Sequence, residues 1–456
     1  MSKTATIPWG AFSGKHKAYI RGALKHRMCV AEGAIRSGKT IDHCIIAAAY
    51  LEETPDRFHL ASGSTIGNAK LNIGVCNGFG LEALFRGRCR WGKYRDNEAL
   101  FIRTRTGEKI VIFVGGAKSD SYKRILGNSY GLWIATEINE HYDCPDSRSS
   151  FLKVATGRQL AAVKPFTLWD LNPCNPKASI YEDYIDKYRE KGLEGGYLYE
   201  HFTIRDNATI TEERLREIES RYDPNTVWYR RDILGERAVA EGLIYRQFAD
   251  APERFVVDDL PGQEIRYATI GVDFGGGTSA HAFCCMGFTT RGGGGRPYWS
   301  APAGPDAPSL VVLDEYHEKR ALTPNQLAAA FVDFVRRCQA RWLVTEAWCD
   351  SAEQTLINGL RAACAEAGIG LNIGNAMKRP INDRIRATCI LMGAGRFYVN
   401  RTCKATIDAL RNAVWDAKKV TEDVRLDDGT TNVDSLDAME YSFEREIPGL
   451  IDTWRE

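Results

Sequence analysis

Two separated groups of residues have the types and spacing for phosphate chemistry. The first, Gly33-Ala-Ile-Arg-Ser-Gly-Lys-Thr40, fits the pattern GxxxxGK[ST] at every fixed position. Glycines at 33 and 38 let backbone N–H groups wrap an anion, and a helix starting there adds the positive end of its dipole. Lys39 would reach the β- and γ-phosphates of ATP, and Thr40 would hold Mg2+. Ser37 completes the loop, and Arg36 either senses the γ-phosphate or is a solvated loop arginine. The second group is acidic. Asp273 closes the apolar run Ile270-Gly-Val-Asp, Asp350 follows an apolar run from Trp342, and Asp434 and Asp437 lie three apart on one face of an expected helix. Hard divalent ions take carboxylates from separate elements. Two Mg2+ or Mn2+ ions about 3.5–4 Å apart activate water and stabilise the leaving oxygen in phosphodiester cleavage. Any one of these aspartates alone reads equally well as a surface charge; their order and strand contexts carry the reading. Glu315 is read as structural, and Glu346 is a rival to Asp350.

A site that hydrolyses ATP needs acidic residues from a second strand. The run GLWIATEINE at 131–140 ends an apolar strand at Thr136-Glu137, where such proteins usually carry Asp-Glu. Glu137 is then the candidate base that positions water. The Thr136 hydroxyl could serve Mg2+ only through a metal-bound water. In the alternative, Glu137 serves the metal and Glu140 the water.

These residues must be placed by strands and helices. Short apolar runs at 28–31, 111–114 and 131–135 read as buried strands of a parallel sheet, with periodic helical stretches between. The fold class is therefore α/β, with a nucleotide-binding unit over 1–240. Residues 207–237 read as charged helix beginning near Thr211, and 241–266, with prolines and acids, as an inter-domain linker. A second α/β unit covers 267–456, with strands near 267–273, 281–288, 309–316 and 342–347. The Gly/Pro-rich stretch 289–309 reads as a loop or flexible hairpin between two of them.

Composition excludes several classes. The 456 residues are 44% hydrophobic and 26% charged, enough for two ordinary cores. Net charge is +1, so any nucleic-acid surface must be local. Lys378-Arg379 and Arg384-Ile-Arg386 are the candidate DNA-phosphate cluster, against the reading of an exposed helical charge run. The 13 cysteines show no CxxC pair and read as buried reduced thiols. No apolar signal core opens the chain and no run reaches the roughly 18 apolar residues of a membrane span, which implies a protein that stays in the compartment where it is made.

In combination these motifs resemble the large subunits of tailed-bacteriophage DNA-packaging terminases, over nearly the whole chain. The arginine before SGKT is similar to that family's phosphate loop, and GGAKSDSYKRILG at 115–127 to its lead-in to the acidic strand. Thr167-Leu-Trp-Asp-Leu-Asn-Pro173 is similar to its coupling motif. Asn172 there would bond the γ-phosphate or an ordered water, and Pro173 would fix the turn. The threonine at 136 departs from the family pattern. In the second half Asp273 resembles the opening of an RNase H-like nuclease, Asp350-Ser-Ala-Glu353 matches its second element and favours Asp350 over Glu346, and Asp437 matches its last acid. Position 434 is often histidine in the family, so Asp434 is the less secure ligand. The resemblance implies a RecA/ASCE-like P-loop ATPase joined to a metal-dependent endonuclease. It would pump double-stranded viral DNA into a procapsid and cut concatemers. It further implies Mg2+ (or Mn2+) at both sites, a portal protein, a small terminase subunit, a pentameric ring and a host-cytoplasmic location. An arginine acting on a neighbouring subunit is expected, with Arg124 as a candidate. Two rivals remain at this stage. A P-loop helicase or translocase without nuclease activity is separated by Mn2+-dependent cutting. A non-hydrolysing nucleotide-binding scaffold is separated by ATP turnover that is lost on Lys39→Ala.

Overall fold

The computed structural model describes residues 12–258, 263–276, 279–291, 308–419 and 421–451. Two compact units result. The first runs to Arg216 and includes Val227–Val239; the second takes Glu217–Thr226 and the chain from Ala240 onward.

The first unit is an eight-stranded sheet: β1 Met28–Gly33, β2 Phe58–Gly63, β3 Cys89–Tyr94, β4 Asn97–Thr104, β5 Gly107–Gly115, β6 Leu132–Ala135, β7 Phe166–Leu171 and β8 Tyr197–Phe202. The spatial order is β3-β4-β5-β2-β6-β7-β1-β8, with β3–β4–β5 antiparallel and the rest parallel. β1, β6 and β7 are buried at every residue, because helices and loops cover both faces of the parallel part. The period of two sorts their side chains between two cores. Cys29, Ala31, Ile134 and Leu168 share one with Ile46 and Ala47 of helix Lys39–Glu53, while Val30, Trp133 and Trp169 enter the other.

The second unit holds β9 Val256–Val257, β10 Gln263–Asp273, β11 His281–Arg291, β12 Leu310–Glu318, β13 Val344–Cys349, β14 Asn372–Asn375 and β15 Phe397–Asn400, in the order β14-β13-β10-β11-β12-β15-β9. β10, β11 and β12 form an antiparallel meander, and β13 joins β10 in parallel. Helices Pro324–Gln339 and Gln354–Glu366 bury Phe331, Phe334, Ile357 and Leu360 against Ala268, Ile270 and Val272 on one face of β10. On the other face lies helix Val433–Phe443. A Cβ at Gly271 would stand 1.8 Å from the carbonyl oxygen of Ala438, so only glycine lets strand and helix approach this closely.

Two expectations change, and a third lies mostly outside the described residues. The stretch 241–266 is no linker. It carries helix Arg246–Asp250 and β9, and Tyr245 and Phe248 are fully buried in the second unit. Its prolines and acids sit at turns, while its aromatic residues supply core. The helical stretch 207–237 breaks into helix Glu212–Glu219, started by the Thr211 hydroxyl accepting from Arg214 N, and a short turn Tyr229–Ile233. Of the stretch 289–309, residues 292–307 lie outside the described residues; Thr289 N donates to Ser309 O across its base. None of the cysteines is in a disulfide, and Cys29, Cys44 and Cys389 are buried. Among the described residues no helix is long and apolar enough to cross a membrane.

Candidate nucleotide and metal sites

β1 delivers the phosphate loop and helix Lys39–Glu53 leaves it. Gly33 has φ 150°, and a Cβ there would lie 1.8 Å from Phe202 O, so the loop turns where a side chain has no room. Arg36 also adopts a left-handed φ of 56° and is exposed, its carbonyl accepting from Asn207 Nδ2. Lys39 is buried. Its Nζ donates to the carbonyls of Gly33 (2.9 Å) and Ala34 (2.7 Å), to Ser37 Oγ (3.2 Å) and to Asn172 Oδ1 (3.3 Å). Burial lowers its pKa to about 8 against the pull of Asp170, Glu137, Glu32 and Asp232. The ammonium is thus surrounded by acceptors it can exchange for phosphate oxygens.

Glu137 ends β6 with φ 53° and ψ 55°, a left-handed conformation that a glutamate rarely adopts. Its carboxylate accepts from Asn68 Nδ2 at 3.0 Å and its amide donates to Asp170 Oδ1 at 3.1 Å. The Thr136 hydroxyl donates to the same oxygen at 3.1 Å, and Thr40 helps hold the Asp170 carboxyl down against the upward push of burial. Glu140 is exposed beside Asn139, while Arg124 is exposed in the turn Ser121–Ile125. The structure therefore gathers Gly33, Ser37, Gly38, Lys39, Thr40, Glu137 and Asn172, and leaves Arg36 and Glu140 at the surface.

Sequence reasoning assigned no role to Asp170, Asn68 or Glu32. Glu32 is fully buried and accepts from Tyr181, Tyr199 and Arg237, which lock the end of β1. The available signal was a lone acid inside an apolar strand, a position that burial makes costly unless partners compensate. His16, from helix Gly14–Ala23, stacks on Phe202 and hydrogen-bonds Asp42 beneath the loop.

In the second unit Asp273 and Asp350 terminate neighbouring parallel strands: Val272 pairs with Cys349, and Asp350 N donates to Val272 O at 3.0 Å. Glu346 pairs with Thr269, four residues or roughly 13 Å back along the strand. Asp437 and Asp434 come from the helix seated over Gly271. Burial, then Asp437, Asp434 and Asp350, push the Asp273 carboxyl up to about 8, with Lys378 opposing. Four acids thus face one another at the sheet edge.

Three of these acids are also held by partners of their own. Asp350 meets Lys378 Nζ at 2.5 Å and Ala352 N at 2.8 Å. Asp437 is bridged by Arg384 (3.1 Å) and Arg425 (2.8 Å), which both continue to the fully buried Glu440 (2.8 and 3.0 Å). Asp434 accepts from Ala280 N at 2.8 Å and so closes the turn after Asp273. Held this way, no three His, Cys, Asp or Glu among the described residues form a ready-made metal cage. The donor set nonetheless suits hard divalent ions, whose charge would relieve the repulsion at Asp273. Glu315 accepts from Ala405 N, Thr406 N and Thr406 Oγ1, each at 2.8 Å, and so caps helix Lys404–Asn412. The basic cluster read as a DNA surface is divided, with Arg384 buried and Lys378 exposed. Arg384 is buried on Asp437, Arg379 Nε donates to Glu444 O and Lys378 meets Asp350. Charge spacing alone carries no direction, which is why these looked solvent-facing.

No protein-family model and no curated protein matches this chain. Solved structures do. The large terminase of a thermophilic bacteriophage in complex with ADP is similar with a TM-score of 0.74 at 22% identity, over 94% of this chain and 98% of that one. Its complex with ATP-gamma-S gives 0.73 at 21%, over 94% and 98%. A further crystal form of the same protein gives 0.76 at 21%, over 95% and 98%. A likeness over this much of both chains establishes that this protein has the two-part α/β fold of the phage large terminases.

Proposed function

We propose that this chain is the large subunit of a viral DNA-packaging terminase, an ATP-driven DNA translocase that also cuts the concatemer. The observation that carries the reading is the pairing of two sites on one chain. Lys39, Thr40, Glu137 and Asn172 meet at an edge of the first sheet, and Asp273, Asp350 and Asp437 meet at an edge of the second. The ADP and ATP-gamma-S complexes of the thermophilic phage protein support ATP as the ligand of the first site.

At the first site the loop amides and Lys39 bind the polyphosphate, and Glu137 orients the attacking water. Asn172 accepts from Lys39, so a change in the lysine's partners is felt at the Asn172-Pro173 turn, the step that couples hydrolysis to movement. At the second site Asp273, Asp350 and Asp437 hold the ions, and Asp434 keeps the adjoining turn in place. Divalent cations, when bound, neutralise phosphate oxygens at the first site; at the second they activate water and stabilise the leaving oxygen. The working assembly is a pentameric ring on a portal protein in the host cytoplasm, with a small terminase subunit selecting the double-stranded DNA.

The test is plasmid cutting in Mn2+ by the wild type and by Asp273→Ala and Asp350→Ala, beside ATP turnover by the wild type and Lys39→Ala. Cutting lost in the first pair and turnover lost in the last is expected. Nicking that survives both aspartate changes removes the nuclease, and turnover that survives without Lys39 removes the motor.

A further inference from the structure

β6 ends in Thr136-Glu137, with no acid beside the glutamate. The sheet order sets β7 between β1 and β6, so the end of β7 lies between the phosphate loop and Glu137. Ala135 pairs with Trp169 and Ala31 with Asp170, so the next residue of β6, Thr136, stands beside Asp170. β7 is apolar except for Thr167 and this one aspartate, which is 3% exposed. A carboxylate so buried needs compensation. Its donors are the hydroxyl of Thr136 and the amide of Glu137, with Lys39 as the opposing charge and Thr40 also acting on it. Every one of them belongs to the phosphate loop or the acidic strand. Behind it, His43 Nδ1 lies 4.0 Å from Oδ2, and His43 Nε2 meets the Tyr19 hydroxyl at 2.8 Å. Burial pushes His43 down to about 3, so the ring beside Asp170 is neutral.

We propose that Asp170 supplies the carboxylate missing at position 136: the acid that holds the nucleotide's divalent cation beside Thr40 comes from the neighbouring strand, and the Thr136 hydroxyl orients it. A purely structural aspartate tying β6 to β7 would need Thr136 and the Glu137 amide alone. The place of this carboxylate, in register with Ala31 of the strand that delivers the phosphate loop and with Lys39 and Thr40 both acting on it, is what a structural tie does not require. The proposal rests on the nucleotide-site reading above and names the chain's own cation-holding acid within it.

The experiment measures binding of a fluorescent ATP analogue by the full chain in EDTA and in Mg2+, with Mn2+ bound in the presence of ATP-gamma-S counted by electron paramagnetic resonance. The readout is the ratio of the two dissociation constants. Asp170→Asn reduces the tightening by Mg2+ roughly 10- to 100-fold and removes the nucleotide-dependent Mn2+ signal. Thr136→Asp/Asp170→Thr, which moves the carboxylate back one strand, restores both. A wild-type ratio in folded Asp170→Asn overturns the proposal, as does a double variant still as defective as the single one. If Asp170→Asn does not fold, the double variant decides alone: a Mg2+ response supports the exchange of positions and none overturns it. Failure of the wild type to bind the analogue at all strikes instead at the nucleotide site itself.

Discussion

The acids of the first unit and those of the second are neutralised in different ways. Around Asp170 the compensation is neutral and shared: a hydroxyl and an amide converge on one carboxylate, and a single ammonium, Lys39, serves the whole site. Around Asp437 it is cationic, with Arg384 and Arg425 each bridging Asp437 and Glu440 and Lys378 on Asp350. The first arrangement lets one cation move to an incoming phosphate without stranding any acid. The second keeps four mutually repelling carboxylates in place until divalent ions take over. On the proposed function, the former suits a motor that cycles continuously and the latter a nuclease that acts only at intervals.

Four changes test this contrast, from the largest expected effect down. Lys39→Ala lowers ATP turnover by about 10²-fold or more, the scale of removing one preorganised electrostatic group, while leaving Mn2+-dependent plasmid cutting at wild-type rate. Phosphate-release and gel assays on the same preparation check it, and a shared loss would mean the two sites are not independent. Arg425→Met strands Glu440 and part of Asp437. Losing one partner of a buried ion pair costs about 3–5 kcal/mol, so the thermal midpoint falls by roughly 10 °C. A near-neutral result would deny the arginines their compensating role.

The third test is pH. With its folded pKa pushed up to about 8 against an ordinary value near 4, Asp273 holds a proton in the folded state that the unfolded chain releases. Its contribution to metal-free stability is therefore complete below about pH 4 and is lost as pH rises toward 8. Asp273→Asn should flatten that decline in thermal scans across the window. Mn2+ must displace the same proton, so its affinity should rise by about tenfold per pH unit below 8, measured by titration calorimetry. The smallest effect is Lys378→Met. Its half-exposed pair with Asp350 is worth up to about 1 kcal/mol, so the Mn2+ concentration for half-maximal cutting falls by about 2- to 5-fold.

What the sequence disclosed follows from how local each feature is. The phosphate loop is a strand, a turn and a helix in unbroken succession, so its pattern alone specified Lys39 and Thr40. Asp273 and Asp350 were legible because each closes an apolar strand. Asp170 sat in plain view within FTLWDL, but its meaning depends on which strand lies beside β7 and in what register, and neither is written in β7. Glu440 hid for a related reason: on its own helix it looks like a surface acid, and only Arg384 and Arg425, brought from other elements, make it a buried hub. Arg384 misled in the opposite direction, since a basic run does not say whether it faces solvent or an acid.

The backbone-to-backbone contact of Gly271 with Ala438 has a consequence for synthesis. Asp273 leaves the ribosome long before the helix that must lie across β10, and until residues 433–443 emerge there is neither Asp437 nor the Glu440 that anchors its arginines. The ATP-site residues, all numbered below 173, have by then been translated. On the proposed function, translation order thus completes the phosphate loop well before the acid cluster, so the part that would cut is the last to be assembled.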